Sequence, residues 1–224
     1  LKSYRFTLYH GYKVKQVTDQ TGAALDFRRE LDYVTVTRGG AAVEYLCLEY
    51  TGKSPKYYSS YAGVCLPANF AYYPIPGYRE LFSDNFYGFI DCSLPYDTAF
   101  DVRCSGRKQM YCNLAARGDN HFAGNARSIT LLSGYYDTLK LNDTLVVYPK
   151  YADTEIRARI KKNMGTFTKE HRDIRTIFIM DTDNLTQYEH LRSYDGYLVT
   201  SSIYDMEQSY FESQIDISKM DFYK

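Results

Sequence analysis

The chain has 224 residues, 45% of them apolar, and 27 basic side chains balance 27 acidic ones. That length buries a core without metal or disulfide staples, and the composition excludes a disordered chain. Zero net charge speaks against a nucleic-acid binder or a polybasic membrane binder, and no apolar run reaches the roughly 20 residues that span a bilayer.

Twenty-five tyrosines and no tryptophan favour sheet over helix. The chain starts at Leu1, as a processed secreted or virion-surface protein would, or a trimmed chain. Tyr4–Tyr9 and Tyr12–Val17 alternate around His10-Gly11 and predict a hairpin. Asp19 to Gly22 is a turn, Leu25–Leu31 is either a short helical turn or the lead into the strand Tyr33–Thr37, and Ala42–Tyr50 is that strand's expected hairpin partner.

The forty residues from Tyr57 to Tyr96 hold eight tyrosines, four phenylalanines and four prolines. Proline fixes φ and donates no ladder hydrogen bond, so this is a loop-rich region with short strands. Tyrosine gives large contact area at low entropic cost. Tyr57, Tyr58, Tyr61, Tyr72, Tyr73, Tyr78, Phe82 and Tyr87 are therefore the expected binding surface, against the plainer reading that these rings fill a core.

Strands follow at Phe86–Cys92 and Ala99–Cys104, then a helix over Lys108–Ala116 and a loop from Gly118 to Gly124. The second half predicts strands at Ser128–Ser133, Thr138–Leu141, Leu145–Tyr148 and Glu155–Lys161, the last carrying Arg157, Arg159 and Lys161 on one face. Met164–Thr168 and Asp173–Met180 form a predicted hairpin, as do Leu191–Tyr194 and Tyr197–Ile203 across Asp195-Gly196. Strand-and-turn spacing of about ten residues predicts an all-β chain, an antiparallel sandwich or barrel with one or two short helices. It is expected to be one domain over 1–224, with a soft division near 118–127.

Residues 150–175 carry eight basic and four acidic side chains, while nine acids face three bases from Asp181 onward. Two solvated faces account for this. Asp119 and His121 share a glycine-bounded loop and are the one candidate acid/base pair, with Ser105 or Ser128 as conceivable nucleophiles. No GxSxG or HExxH motif supports them. Asp181, Asp183 and Asn184 are better read as an Asx turn than as calcium ligands. No metal or other cofactor is expected.

Cys47, Cys65, Cys92, Cys104 and Cys112 are an odd set, without CxxC or a nearby histidine. Short-range disulfides would pair Cys47 with Cys65, and Cys92 with Cys104 or Cys112, leaving one thiol over. Asn142 and Asn184 begin glycosylation sequons.

Ser83-Asp84-Asn85-Phe86-Tyr87, a strand to Cys92, then Val102-Arg103-Cys104-Ser105-Gly106-Arg107 before a predicted helix resemble the later part of a lipocalin, over some 25 residues. The Gly-x-Trp motif of that family is absent. The resemblance implies a cup for a small apolar ligand, with Arg107 bracing its closed end.

The expectation drawn from all this is a non-enzymatic, extracellular or virion-surface protein that binds a protein or glycan partner through its tyrosines. Behind it stand the lipocalin-like carrier, a self-associating coat or filament subunit, and a hydrolase using Asp119 and His121.

Overall fold

The computed structural model describes residues 3–37, 43–59, 61–66, 68, 70–79, 94, 97–106, 108–179, 190–193 and 197–200. In chain order the strands are β1 (Ser3–Thr7), β2 (Tyr12–Asp19), β3 (Phe27–Glu30), β4 (Tyr33–Thr37), β5 (Leu46–Gly52), β6 (Gly63–Leu66), β7 (Ile75–Pro76) and β8 (Thr98–Arg103). Next come β9 (Gln109–Cys112), β10 (Ala115–Gly118), β11 (His121–Ala126), β12 (Leu131–Gly134), β13 (Tyr136–Leu141) and β14 (Thr144–Pro149). Helix α1 (Thr154–Glu170) precedes β15 (Thr176–Ile179), β16 (His190–Ser193) and β17 (Tyr197–Thr200). The fold is all-β in its bulk, and among the described residues no sheet closes into a barrel.

The chain separates into two compact units, residues 1–56 with 68–96 and residues 57–67 with 97–224. The stretch 118–127, where a soft division was expected, instead runs through the β10–β11 hairpin inside the second unit.

The first unit holds an antiparallel sheet in the order β3-β4-β1-β7 and a separate β2–β5 ladder. Val34 and Val36 alternate with more exposed residues on β4 and are fully buried, as period two requires. On β2 the buried positions are Tyr12, Val14 and Val17. A register shift between Val14 and Gln16 inserts the extra residue that returns Val17 to the inner face. The expected β1–β2 hairpin does not form, because β4 and β7 already occupy both edges of β1. The chain turns at His10-Gly11 into the other ladder, where β5 pairs with β2 and not with β4.

The second unit holds two three-stranded antiparallel sheets, β6-β12-β9 and β10-β11-β8. Its third sheet is mixed, ordered β13-β14-β15-β17-β16, with β15 parallel to both neighbours. Lys108–Ala116 was expected to be a helix and is instead β9 and β10. Pairing overrides the helix propensity of its methionine, leucine and alanines. Asn113 fixes the corner between the two strands: its Nδ2 donates to Ser128 O at 3.0 Å and its Oδ1 accepts from Thr130 N at 2.8 Å.

The larger correction is α1, which replaces the strands expected at Glu155–Lys161 and Met164–Thr168. Ile156, Ile160, Met164 and Phe167 recur every three or four residues, which is helical spacing. Ile160, Met164 and Phe167 pack in one core with Val146 and Tyr148 of β14 and Ile177 and Ile179 of β15. Parallel strands need a crossover of a dozen or more residues, and α1 is that crossover. Asp153 caps it, its carboxylate accepting from Ile156 N at 2.8 Å. Asp153→Ala is expected to lower the unfolding free energy by about 1 kcal/mol. A urea titration checks this, and an unchanged midpoint would dismiss the cap as a contributor.

Candidate functional site

The antiparallel register of β11 and β8 sets Asp101 opposite Ala123 and Arg103 opposite His121. Alternate residues of paired strands share a face, so Asp101, Arg103 and His121 lie together on one side of this sheet. His121 Nε2 stands 3.1 and 3.0 Å from the two carboxylate oxygens of Asp101, and Arg103 Nε donates to Asp101 Oδ1 at 3.2 Å. The His121 hydrogen bond holds the Asp101 carboxyl below the usual carboxylate range, outweighing the opposing effect of burial, and Arg103 adds to the lowering.

The loop pairing expected from the sequence is thereby corrected. Asp119 is exposed in the β10–β11 turn, and the carboxylate that His121 bonds is Asp101. Asn120 follows at φ +52°, where asparagine is tolerated. Its carbonyl accepts from Cys104 N at 2.9 Å and its amide donates to Gly106 O at 3.1 Å, so the turn is tied to the end of β8. Ser128 is buried and Ser105 exposed, and neither bonds His121. A carboxylate can orient an imidazole and stabilise its protonated form, but proton transfer needs a reacting group within reach.

A second histidine–carboxylate pair lies in the first unit and was not singled out from the sequence. Asp32 Oδ1 lies 3.0 Å from His10 Nδ1 and accepts from His10 N at 2.7 Å. Arg29 closes the same corner by donating to Leu31 O at 2.6 Å, Leu8 O at 2.8 Å and Tyr9 O at 2.9 Å. Its hydrogen bonds to carbonyls make this a fastening for the β3–β4 turn. Leu31 stands there at φ +49°.

The tyrosines expected to form one contact surface divide. Tyr58, Tyr72 and Tyr73 are buried and belong to the core. Tyr72 and Tyr73 meet edge to face at 5.0 Å, and Phe70 reaches Tyr9 at 5.3 Å, so the rings of residues 70–73 fill the first unit's interior. Tyr61 is 90% exposed and Tyr78 47%. The side chain of Tyr57, and residues Phe82 and Tyr87, lie outside the described residues.

Cys47, Cys104 and Cys112 carry free thiols, Cys65 is buried on β6, and Cys92 lies outside the described residues. Burial raises Cys104 and pushes Cys112 up to about 12, where the neighbouring Cys104 further opposes ionisation. A thiol so disposed is not a nucleophile. Asn142, at the β13–β14 turn, donates its side-chain amide to Thr168 Oγ1 at 2.8 Å, and the sequon's Thr144 is buried with its hydroxyl donating to Ile174 O at 2.7 Å. Asn184, Asp181, Asp183 and Arg107 lie outside the described residues. Among the described residues no group of three His, Cys, Asp or Glu side chains is placed to hold a metal ion, and no helix is long and apolar enough to cross a membrane.

The basic run does not share a face once helical. Arg157 turns back to Ala152 O at 2.8 Å, Lys150 O at 3.2 Å and Asp137 Oδ2 at 3.3 Å, and Arg159 pairs with Glu155 one turn away.

No protein-family model matches the chain, and no curated protein matches it. Solved structures do. Yeast LTA4 hydrolase in complex with bestatin superposes with a TM-score of 0.62 at 12% identity, covering 95% of this chain and 37% of that one. Native leukotriene A4 hydrolase from Saccharomyces cerevisiae gives 0.53 at 11%, covering 90% and 35%. The M1 zinc metallopeptidase E323A mutant from Deinococcus radiodurans aligns less well, with a TM-score of 0.40 at 11% identity over 90% of this chain and 52% of that one. The chain thus shares a fold with part of LTA4 hydrolase and spans a little over a third of the length of that neighbour. The lipocalin-like cup is replaced by this fold, in which the helix expected after Arg107 is a pair of strands. The expectation of a non-enzymatic protein is corrected too, since the two structures that superpose with TM-scores of 0.62 and 0.53 are both LTA4 hydrolases.

Proposed function

We propose that this chain is the β-rich portion of a hydrolase built like LTA4 hydrolase. The superposition supports this reading by running through both compact units of the chain, covering 95% of its residues. In this reading the two units form a scaffold for the enzyme, and the His121–Asp101 pair is a surface fastening between β8 and β11. Its half-exposed position and the lack of a bonded hydroxyl or thiol among the described residues favour that role over catalysis.

The full-length protein should hydrolyse leukotriene A4 or members of a panel of amide and ester substrates, with bestatin as inhibitor. Asp101→Asn and His121→Ala should each leave kcat/KM within about twofold of wild type. A loss of about 100-fold with an unchanged melting temperature would instead place the acid/base step on His121. Absence of turnover on every substrate would overturn the hydrolase reading.

A further inference from the structure

Three separate segments of the second unit converge on an open cleft of 280 Å³ lined by Tyr61, Ala62, Tyr135, Lys150 and Tyr151. Tyr61 and Ala62 precede β6, Tyr135 links β12 to β13, and Lys150 and Tyr151 follow β14. Backbone hydrogen bonds join the segments: Tyr135 N donates to Ala62 O at 2.7 Å, and Lys150 N donates to Tyr135 O at 2.9 Å. With those main-chain groups engaged, the cleft offers tyrosine rings and an ammonium group.

The rings of Tyr61 and Tyr135 are open to water. Tyr61 meets Tyr151 edge to face at 5.6 Å, and Tyr61 and Tyr135 are 90% and 60% exposed. Lys108 Nζ lies 5.0 Å from the centre of the Tyr135 ring, bringing a second cation to the rim. Among the described residues no acidic side chain lines the cleft, and neither Lys108 nor Lys150 is in an ion pair. Asp137, which approaches the neighbouring Arg157, is neutralised by it at 3.3 Å.

Clustered exposed aromatic rings favour an apolar occupant, and a tyrosine face alone would also attract a cation. Two lysines without acidic partners reverse that second preference, because they repel a cation and attract an anion. The volume lies just below the usual range of small-molecule pockets, so it suits one ring and not an extended chain. We propose that this cleft binds an aryl carboxylate, its ring against Tyr61, Tyr135 and Tyr151 and its carboxylate on Lys150, with Lys108 adding positive potential.

The test is a ligand-observed NMR titration of the full-length protein with 3-phenylpropanoate and, separately, its uncharged amide. The carboxylate should bind saturably with a Kd of about 1 mM or tighter, and the amide about fivefold more weakly. Lys150→Gln should abolish that difference, and Tyr61→Ser, at a position too exposed to disturb the fold, should weaken both ligands about fivefold. Non-saturable binding, equal affinity for the two ligands, or full retention of binding in both variants would each overturn the proposal.

Discussion

Gly134→Ala is expected to lower the unfolding free energy by about 3 kcal/mol, the upper end of what one added methyl does in a packed interior. In β6–β12 pairing Gly134 lies opposite Gly63, and the two backbones approach as only glycines allow. A Cβ on Gly134 would sit 2.2 Å from Ala62 O and 2.7 Å from Gly63 Cα. Both obstacles are main chain, so no rotamer change relieves them. Moving β12 away is also costly, since it is the central strand and its other edge is bonded to β9. The same shift would pull Tyr135 N from Ala62 O and open the tyrosine cleft. Gly165 in α1 supplies the control, because nothing lies within 4 Å of its added Cβ. Gly165→Ala should stabilise the protein by about 0.8 kcal/mol, as glycine inside a helix is the poorer residue. Urea denaturation of the two variants reads opposite signs from the same methyl group. A Gly134→Ala protein within about 1 kcal/mol of wild type would mean that the strands can separate at little cost.

Strands with period-two burial were legible in the sequence. Tyr33–Thr37, Thr138–Leu141 and Leu145–Tyr148 fall where alternation or an apolar run puts them, because local spacing fixes which side chains can be buried together. Pairing was not legible. Alternation in Tyr4–Tyr9 and Tyr12–Val17 suits any antiparallel neighbour, and the true partners of β1 lie at Tyr33–Thr37 and Ile75–Pro76. The candidate site suffered from the same gap. Sequence proximity pairs Asp119 with His121, whereas Asp101 reaches it through a ladder between residues 20 positions apart. The exposed cleft is not legible in the sequence, because Tyr135 and Tyr151 stand outside the aromatic-rich stretch 57–96 and their meeting with Tyr61 depends on the glycine pair at 63 and 134.

Ile160→Ala should lower stability by about 3 kcal/mol, and its neighbour two residues back should be nearly silent. Ile160 is fully buried in the core between α1 and the mixed sheet, where truncation removes contacts with a rigid surround and leaves a cavity. On its own this result fits either local structure, since a strand over Glu155–Lys161 would also turn Ile160 inward. Ala158 separates the two. In a strand it would share the inner face with Ile156 and Ile160, and a carboxylate there would be buried at a cost of several kcal/mol, about 3 or more. In α1 it is exposed, 200° around the axis from Ile160, and Ala158→Asp should cost about 0.7 kcal/mol in helix propensity alone. Urea midpoints of the two variants, with an unchanged m-value, decide the matter. A large loss from Ala158→Asp would return this segment to the sheet and remove the crossover that makes β14 and β15 parallel.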